Sequence, residues 1–334
     1  MRPYGWAGLL MLLASELCLV LKIEPFYSWF YCFAWWSYIL LADNLLFTLR
    51  GASLLTTRKR ELRVMLPLSV FIWLLFEGYN LFIRNWAYDG MPRQTWLRWM
   101  GYSVAFATVL PGVFTTSDLV NTLLFGRRTG SAASESEPLR EKPLSRPSVM
   151  IFVLGIVLTV APLLWPRYFF PTVWLGPVFL LDPLLERFGV RSLSLSISSG
   201  DRRRVWSLIL GGLTCGLLWE FWNFWAASKW IYTVPFFSEW RVFEMPLLGF
   251  LGFPPFALEC WILYHLLTSI LRQRESVPAQ AAFWIVVLSI SIAVFCGIDQ
   301  QTVVRFSADD WRPLSQFRMA DFDGILSEFR KGCV

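Results

Sequence analysis

The chain has 334 residues, of which 56% are apolar and only 16% charged, and its mean hydropathy is +0.50. A soluble domain carries roughly a quarter charged residues, so this composition excludes one and points to a polytopic membrane protein. The net charge of +6 does not require nucleic acid as a partner, because Lys and Arg beside membrane spans set topology and meet anionic lipid.

An apolar run of about 20 residues crosses roughly 30 Å of hydrocarbon at 1.5 Å per residue. Nine runs fit, at 5–22, 26–48, 64–83, 99–125, 148–168, 171–187, 204–226, 246–271 and 282–298. The run at 171–187 is short for a crossing. The first run carries Glu16 in its middle and lacks a small-x-small cleavage motif, so it reads as a span of the mature chain rather than a signal peptide.

Alternate loops differ in charge. Those on the side of Arg2, including Arg50, Arg58–Arg63, Arg127, Arg202–Arg204 and Arg272, hold 18 basic residues, and the opposite loops hold 7. Basic short loops face the cytoplasm, so the N-terminus is expected inside, the tail outside, and the protein in a bacterial cytoplasmic membrane.

The internal pattern is a repeat. Residues 74–88 read LLFEGYNLFIRNWAY and residues 217–232 read LLWEFWNFWAASKWIY. One inserted residue aligns Glu77 with Glu220, Asn80 with Asn223, Trp86 with Trp230 and Tyr88 with Tyr232. Upstream, YILLADNLLF at 38–47 matches VFLLDPLLERF at 178–188, bringing Asp43 onto Asp182. Downstream, Pro111 falls on Pro255 and Thr115 on Glu259. Four spans per half preserve membrane direction, so the halves are expected to be parallel repeats.

The expected architecture is therefore all-α. A first four-helix repeat spans 1–125, a flexible cytoplasmic linker 126–147 and a second repeat 148–271. A linker and ninth transmembrane helix occupy 272–298, followed by an extracytoplasmic tail at 299–334.

Carboxylates inside hydrocarbon cost several kcal/mol unless paired, hydrated or protonated. Glu16, Asp43, Glu77, Asp118, Asp182, Glu220 and Glu259 all fall within the expected spans. Glu and Asn three residues apart share a helix face, and each such pair leads into an aromatic connection, at 84–99 and 229–244. The second half carries more chemistry. Glu220, Asn223, Glu244 and Glu259 are its candidate catalytic residues, with Trp219, Trp222, Trp230, Tyr232 and His265 as substrate contacts. Glu77, Asn80, Trp86 and Tyr88 are expected as their structural counterparts. Pro254 and Pro255 suggest a broken helix before Glu259.

No Cys/His spacing for a metal and no phosphate loop, dinucleotide motif or serine hydrolase signature occurs, so no metal or cofactor is expected. GGLTCG at 211–216 reads as close helix packing. Three functions remain open. One is an intramembrane enzyme using carboxylates on an apolar isoprenoid or lipid-like substrate for acid-catalysed isomerisation, cyclisation or hydration. The others are a proton-coupled transporter and a non-catalytic membrane subunit or assembly factor. The expected partner is a membrane lipid or apolar small molecule.

Overall fold

The computed structural model describes residues 1–126, 146–236 and 239–307. Eight segments in it are long and apolar enough to cross a membrane, which makes the chain a polytopic membrane protein. The helices are α1 (Pro3–Val20), α2 (Phe30–Arg50), α3 (Lys59–Ile83), α4 (Thr95–Phe106) and α5 (Val109–Phe125). They continue with α6 (Arg146–Leu164), α7 (Gly176–Leu185), α8 (Arg203–Trp225), α9 (Phe253–Arg272) and α10 (Val277–Gln301). The run expected at 148–168 is a shorter apolar helix, Ser148–Leu164. Most of the expected linker, residues 127–145, and the tail from 308 lie outside the described residues.

Local sequence sets the helix ends. Pro3 opens α1, where a missing N–H costs nothing. Gly51 closes α2 with φ +75°, a left-handed conformation that a Cβ would oppose. The segment after α6 is cut at Pro166, Pro171 and Pro177 into short helical and 3-10 turns before α7, and Pro183 lies within α7. Pro254 and Pro255 do not break a helix, contrary to expectation. They sit in the first turn of α9, where their lost donors have no intrahelical partner anyway, and α9 runs unbroken past Glu259.

Within the bundle α1 packs along α2 and α6 along α7. The centre is made where α5 meets α8 and α9 meets both α3 and α8, while α10 lies against α3. Helices in lipid associate through close van der Waals fit. A Cβ on Gly211 would stand 2.4 Å from the Ser117 hydroxyl, and one on Gly212 2.6 Å from Ala257. The GGLTCG run therefore does serve helix contact. Where α3 meets α8 and α9 the space is filled by rings: Trp73 lies 5.6 Å from Trp219 and 5.7 Å from Phe256, centroid to centroid.

The two ends of the bundle differ in chemistry. At the basic end, Arg50, Arg58 and Arg204 converge on Asp118 at 3.8, 3.5 and 3.3 Å. Asp43 and Asp182 serve the same end by tying down the loops that follow. Asp43 accepts from Ser53 Oγ at 2.8 Å and Leu55 N at 3.0 Å, and Asp182 from Leu193 N at 2.7 Å and Ser194 N at 3.0 Å. At the opposite end β1 (Trp86–Asp89) pairs antiparallel with β2 (Lys229–Tyr232). The chain leaving α10 then runs parallel to β1, with Tyr88 N donating to Thr302 O at 2.8 Å and Val304 N to Tyr88 O at 2.9 Å.

Candidate functional site

Each Glu-x-x-Asn pair builds a nest at the ladder end. Helix α3 stops at Arg84, whose φ of 52° turns the chain back. The Asn80 carboxamide holds that reversal: Nδ2 donates to Trp86 O at 2.8 Å, and Oδ1 accepts from Asn85 N at 2.9 Å and Trp86 N at 3.2 Å. Asn223 does the same after α8, with Nδ2 donating to Trp230 O at 2.9 Å and Oδ1 accepting from Trp230 N at 3.0 Å. The reversal carries the next aromatic side chains over the carboxylate one turn earlier in the helix. Glu77 Oε1 accepts from Trp73 Nε1 at 2.9 Å, Trp86 Nε1 at 3.0 Å and Tyr88 OH at 2.5 Å. Glu220 Oε1 accepts from Tyr232 OH at 2.7 Å, and that hydroxyl accepts from Trp230 Nε1 at 2.9 Å.

The ladder joins the nests. Trp86 faces Tyr232 and Tyr88 faces Trp230, symmetrically about Ala87 and Ile231. Burial, reinforced by the adjoining Glu77 or Glu220 carboxylate, raises the Tyr88 and Tyr232 phenols well above their ordinary value. Both therefore stand as neutral hydrogen-bond donors.

A largely apolar cavity of about 90 Å³ opens beneath the ladder. Its walls include Tyr31 and Cys32 of α2, Trp73 of α3, Tyr88 of β1, Gly101 and Tyr102 of α4, Trp219 of α8 and Trp230 of β2. A polar cleft of about 230 Å³ adjoins it through Ser28, Trp29, Pro92 and Leu97. Two cations line the cavity, and both are paired. Lys229 Nζ lies 2.5 Å from Glu244. Arg98 is only 5% exposed and grips Asp299 through Nε at 2.7 Å and Nη2 at 2.5 Å. Trp99 Nε1 and Tyr102 OH also donate to Asp299, at 3.0 and 3.3 Å.

The fold thus brings together Glu220, Asn223, Trp230 and Tyr232, with Glu244 attached through Lys229. Trp219 lines the cavity, whereas Trp222 packs away from it on Trp35 and Tyr38, at 5.2 and 5.9 Å between centroids. Glu77, Asn80, Trp86 and Tyr88 form the other nest. Glu259 stands apart in the interior of α9, fully buried, and neither of its carboxyl oxygens has a hydrogen-bond partner. His265 is further along α9, stacked 4.1 Å from the Trp261 ring with Nδ1 2.8 Å from Trp261 O. It does not join the cavity.

Tyr31, Trp73, Arg98, Tyr102 and Asp299 belong to the site without having been singled out from the sequence. Tyr31 sits in the aromatic run YCFAWWSY, which reads as an interfacial belt, and Arg98 and Asp299 are 201 residues apart. Among the described residues no group of three or more His, Cys, Asp or Glu side chains is arranged to hold a metal ion. No protein-family model, no characterised protein and no solved structure matches the chain.

Proposed function

We propose that the chain is an intramembrane enzyme that performs acid-catalysed isomerisation, cyclisation or hydration on an apolar, isoprenoid-like or other lipid-like molecule. The observation that carries this is the apolar cavity with a carboxylate-bound aromatic residue on each side. Tyr88, bonded to Glu77, and Trp230, tied through Tyr232 to Glu220, both line it. Protonating a double bond requires a proton source within reach of the wall and a surface that stabilises the cation left on the neighbouring carbon. The faces of Trp73, Trp219 and Tyr102 supply that surface. In an isomerisation the proton added at one carbon is matched by one lost from another, so no co-reactant is consumed.

In this reading Glu220 is the acid, Asn223 fixes the turn that places Tyr232 on it, and Glu244 steadies Lys229 at the rim. Glu77 and Tyr88 close the opposite wall. Glu259 and His265 have no step.

We further infer two parallel repeats. Trp35 and Trp174 each precede the matched aspartates by eight residues. Trp35 packs on Trp219 at 5.5 Å and Trp174 on Phe76 at 5.4 Å, so the exchange between halves is reciprocal, as a two-fold relation requires. The excess of basic residues beside Asp118 supports a cytoplasmic location for that end.

Glu259 favours a second reading, a proton-coupled transporter, because an unbonded carboxyl in the bundle interior suits proton exchange. The ring-filled gap between halves favours the enzyme instead.

The test is lipid extraction from the purified protein, read by mass spectrometry, for wild type and Gly101→Phe. Gly101 lines the cavity, and its nearest neighbour to an added Cβ is Trp29 at 3.8 Å, so a large side chain would fill the space. One apolar compound enriched in wild type, lost in Gly101→Phe and converted in detergent without a gradient is expected. Counterflow in proteoliposomes without chemical change would select the transporter, and no enrichment at all would leave a non-catalytic subunit.

A further inference from the structure

The cavity beneath the ladder is elongated. Leu97, Gly101 and Ala105 of α4 and Val109, which opens α5, all line it at four-residue intervals. Residues so spaced share one helix face, so the cavity follows the helix for about 18 Å at 1.5 Å per residue. It starts in the first turn of the crossing Thr95–Phe125, at the ladder end, and reaches about half-way through the hydrocarbon layer. A volume of about 90 Å³ spread over that length has room for one chain rather than two. Polarity falls along it. Ser28, just before α2, and Lys229 of β2 stand on the wall at the ladder end, and Trp73, Phe106 and Val109 stand deeper.

At the ladder end the cavity passes through the neck Ser28, Trp29, Pro92 and Leu97 into the polar cleft of about 230 Å³. The cleft is lined besides by Arg93, Gln94 and Ser307. The charges placed there are engaged. Arg93 donates to Ser307 O at 3.4 Å, and Glu24, behind Ser28, accepts from Ser28 N at 3.1 Å and Oγ at 2.5 Å. Among the described residues that line the cleft none is a carboxylate, so a cationic head would meet only Arg93 there. An anionic head would face Glu24 and compete with Ser307 O for Arg93. Serine hydroxyls, a carboxamide and a guanidinium together donate and accept, which is the complement of a head bearing several hydroxyls. A pure hydrocarbon would leave the cleft to water, and a small polar solute would leave the apolar cavity empty.

We propose that cavity and cleft together bind one single-chain amphiphile with an uncharged, hydroxyl-bearing head, the head in the cleft and the chain along α4. The cleft is the larger space, so the head is of glycerol or sugar size rather than a lone hydroxyl. This names the substrate class for the reading of the cavity given above and rests on it.

The experiment uses the full chain in phosphatidylcholine nanodiscs and two photoactivatable monododecanoyl glycerols, one with a diazirine beside the ester and one with it at the chain end. Labelled peptides are identified by mass spectrometry. The first should label the segments around Trp29 and Leu97, and the second the segment around Ala105 and Val109. At equal mole fraction, unlabelled monododecanoyl glycerol should displace both at least about tenfold better than dodecane, dodecyl phosphate or dodecyltrimethylammonium. Gln94 is exposed at the cleft, so Gln94→Trp should fill that space and erase the advantage of the glycerol head, with an unchanged size-exclusion profile. Equal displacement by dodecane on the wild-type protein, which needs no variant to fold, would overturn the amphiphile assignment. So would preference for either charged head, labelling of the same depth by both diazirines, or a glycerol advantage that survives in Gln94→Trp. Wall labelling that is absent, or indifferent to Gly101→Phe, would overturn the cavity reading itself.

Discussion

The nests around Glu77 and Glu220 start from the same sequence pattern and end in different states of closure. At Glu77 one carboxylate oxygen receives three donors, and the strand above it is buried, with Trp86 and Tyr88 each 5% exposed. At Glu220 a single phenol reaches the carboxylate, Trp230 is held one step back on that phenol, and the strand is only half-buried. Part of the difference is in the helix: Trp73, a donor to Glu77, stands four residues before it, and Gly216 occupies the same place before Glu220. The first nest lies under α10 and the returning segment Thr302–Ser307, fastened by the Arg98–Asp299 pair. The donors to each carboxylate therefore come from its own helix and strand, and the cover buries the strand that carries them.

Removing the carboxylates should give the largest separation. Glu77→Leu strands three buried donors at about 1–3 kcal/mol each, so folded yield by detergent size exclusion should collapse. Glu220→Leu strands one and should remain purifiable, whereas equal losses would show that the donor count does not set stability here.

The conservative pair asks about function. Glu220→Gln should keep the fold and lower turnover at least about tenfold, about 1.4 kcal/mol of transition-state stabilisation. Glu77→Gln should retain more activity, and a greater loss there would move the working acid to the closed nest.

A smaller contrast is expected at the turns. Asn80→Ala removes three hydrogen bonds and Asn223→Ala two, at about 1 kcal/mol each. Asn80→Ala should therefore lower the detergent melting temperature further.

The smallest effect is alkaline. A phenol whose value is raised by folding contributes its full stabilisation below the ordinary phenol range, near pH ~10, and loses it as pH rises beyond. Melting temperature should fall above that pH, and the fall should be shallower in Tyr88→Phe and Tyr232→Phe. A slope unchanged by both substitutions would place the alkaline loss elsewhere.

The sequence by itself determined the membrane class, eight of the nine expected apolar segments and the local content of each nest. Those properties depend on neighbours in the chain: runs of apolar residues, a Glu and Asn on one helix face, aromatic residues a short turn away. It misplaced Pro254 and Pro255 as a break because a proline's effect depends on its position in the first turn, which the apolar pattern does not mark. Glu259 and His265 looked like members of one site with Glu220 because all three lie in the second half of the chain, which holds most of the candidate chemistry. Tertiary structure separated them, since α9 turns its interior toward other helices. Tertiary structure alone also brought Tyr31 and Arg98 to the cavity and paired Arg98 with Asp299, 201 residues along the chain. Packing in lipid is decided by shape and by the pairing of buried polar atoms, and neither leaves a periodic trace in the sequence.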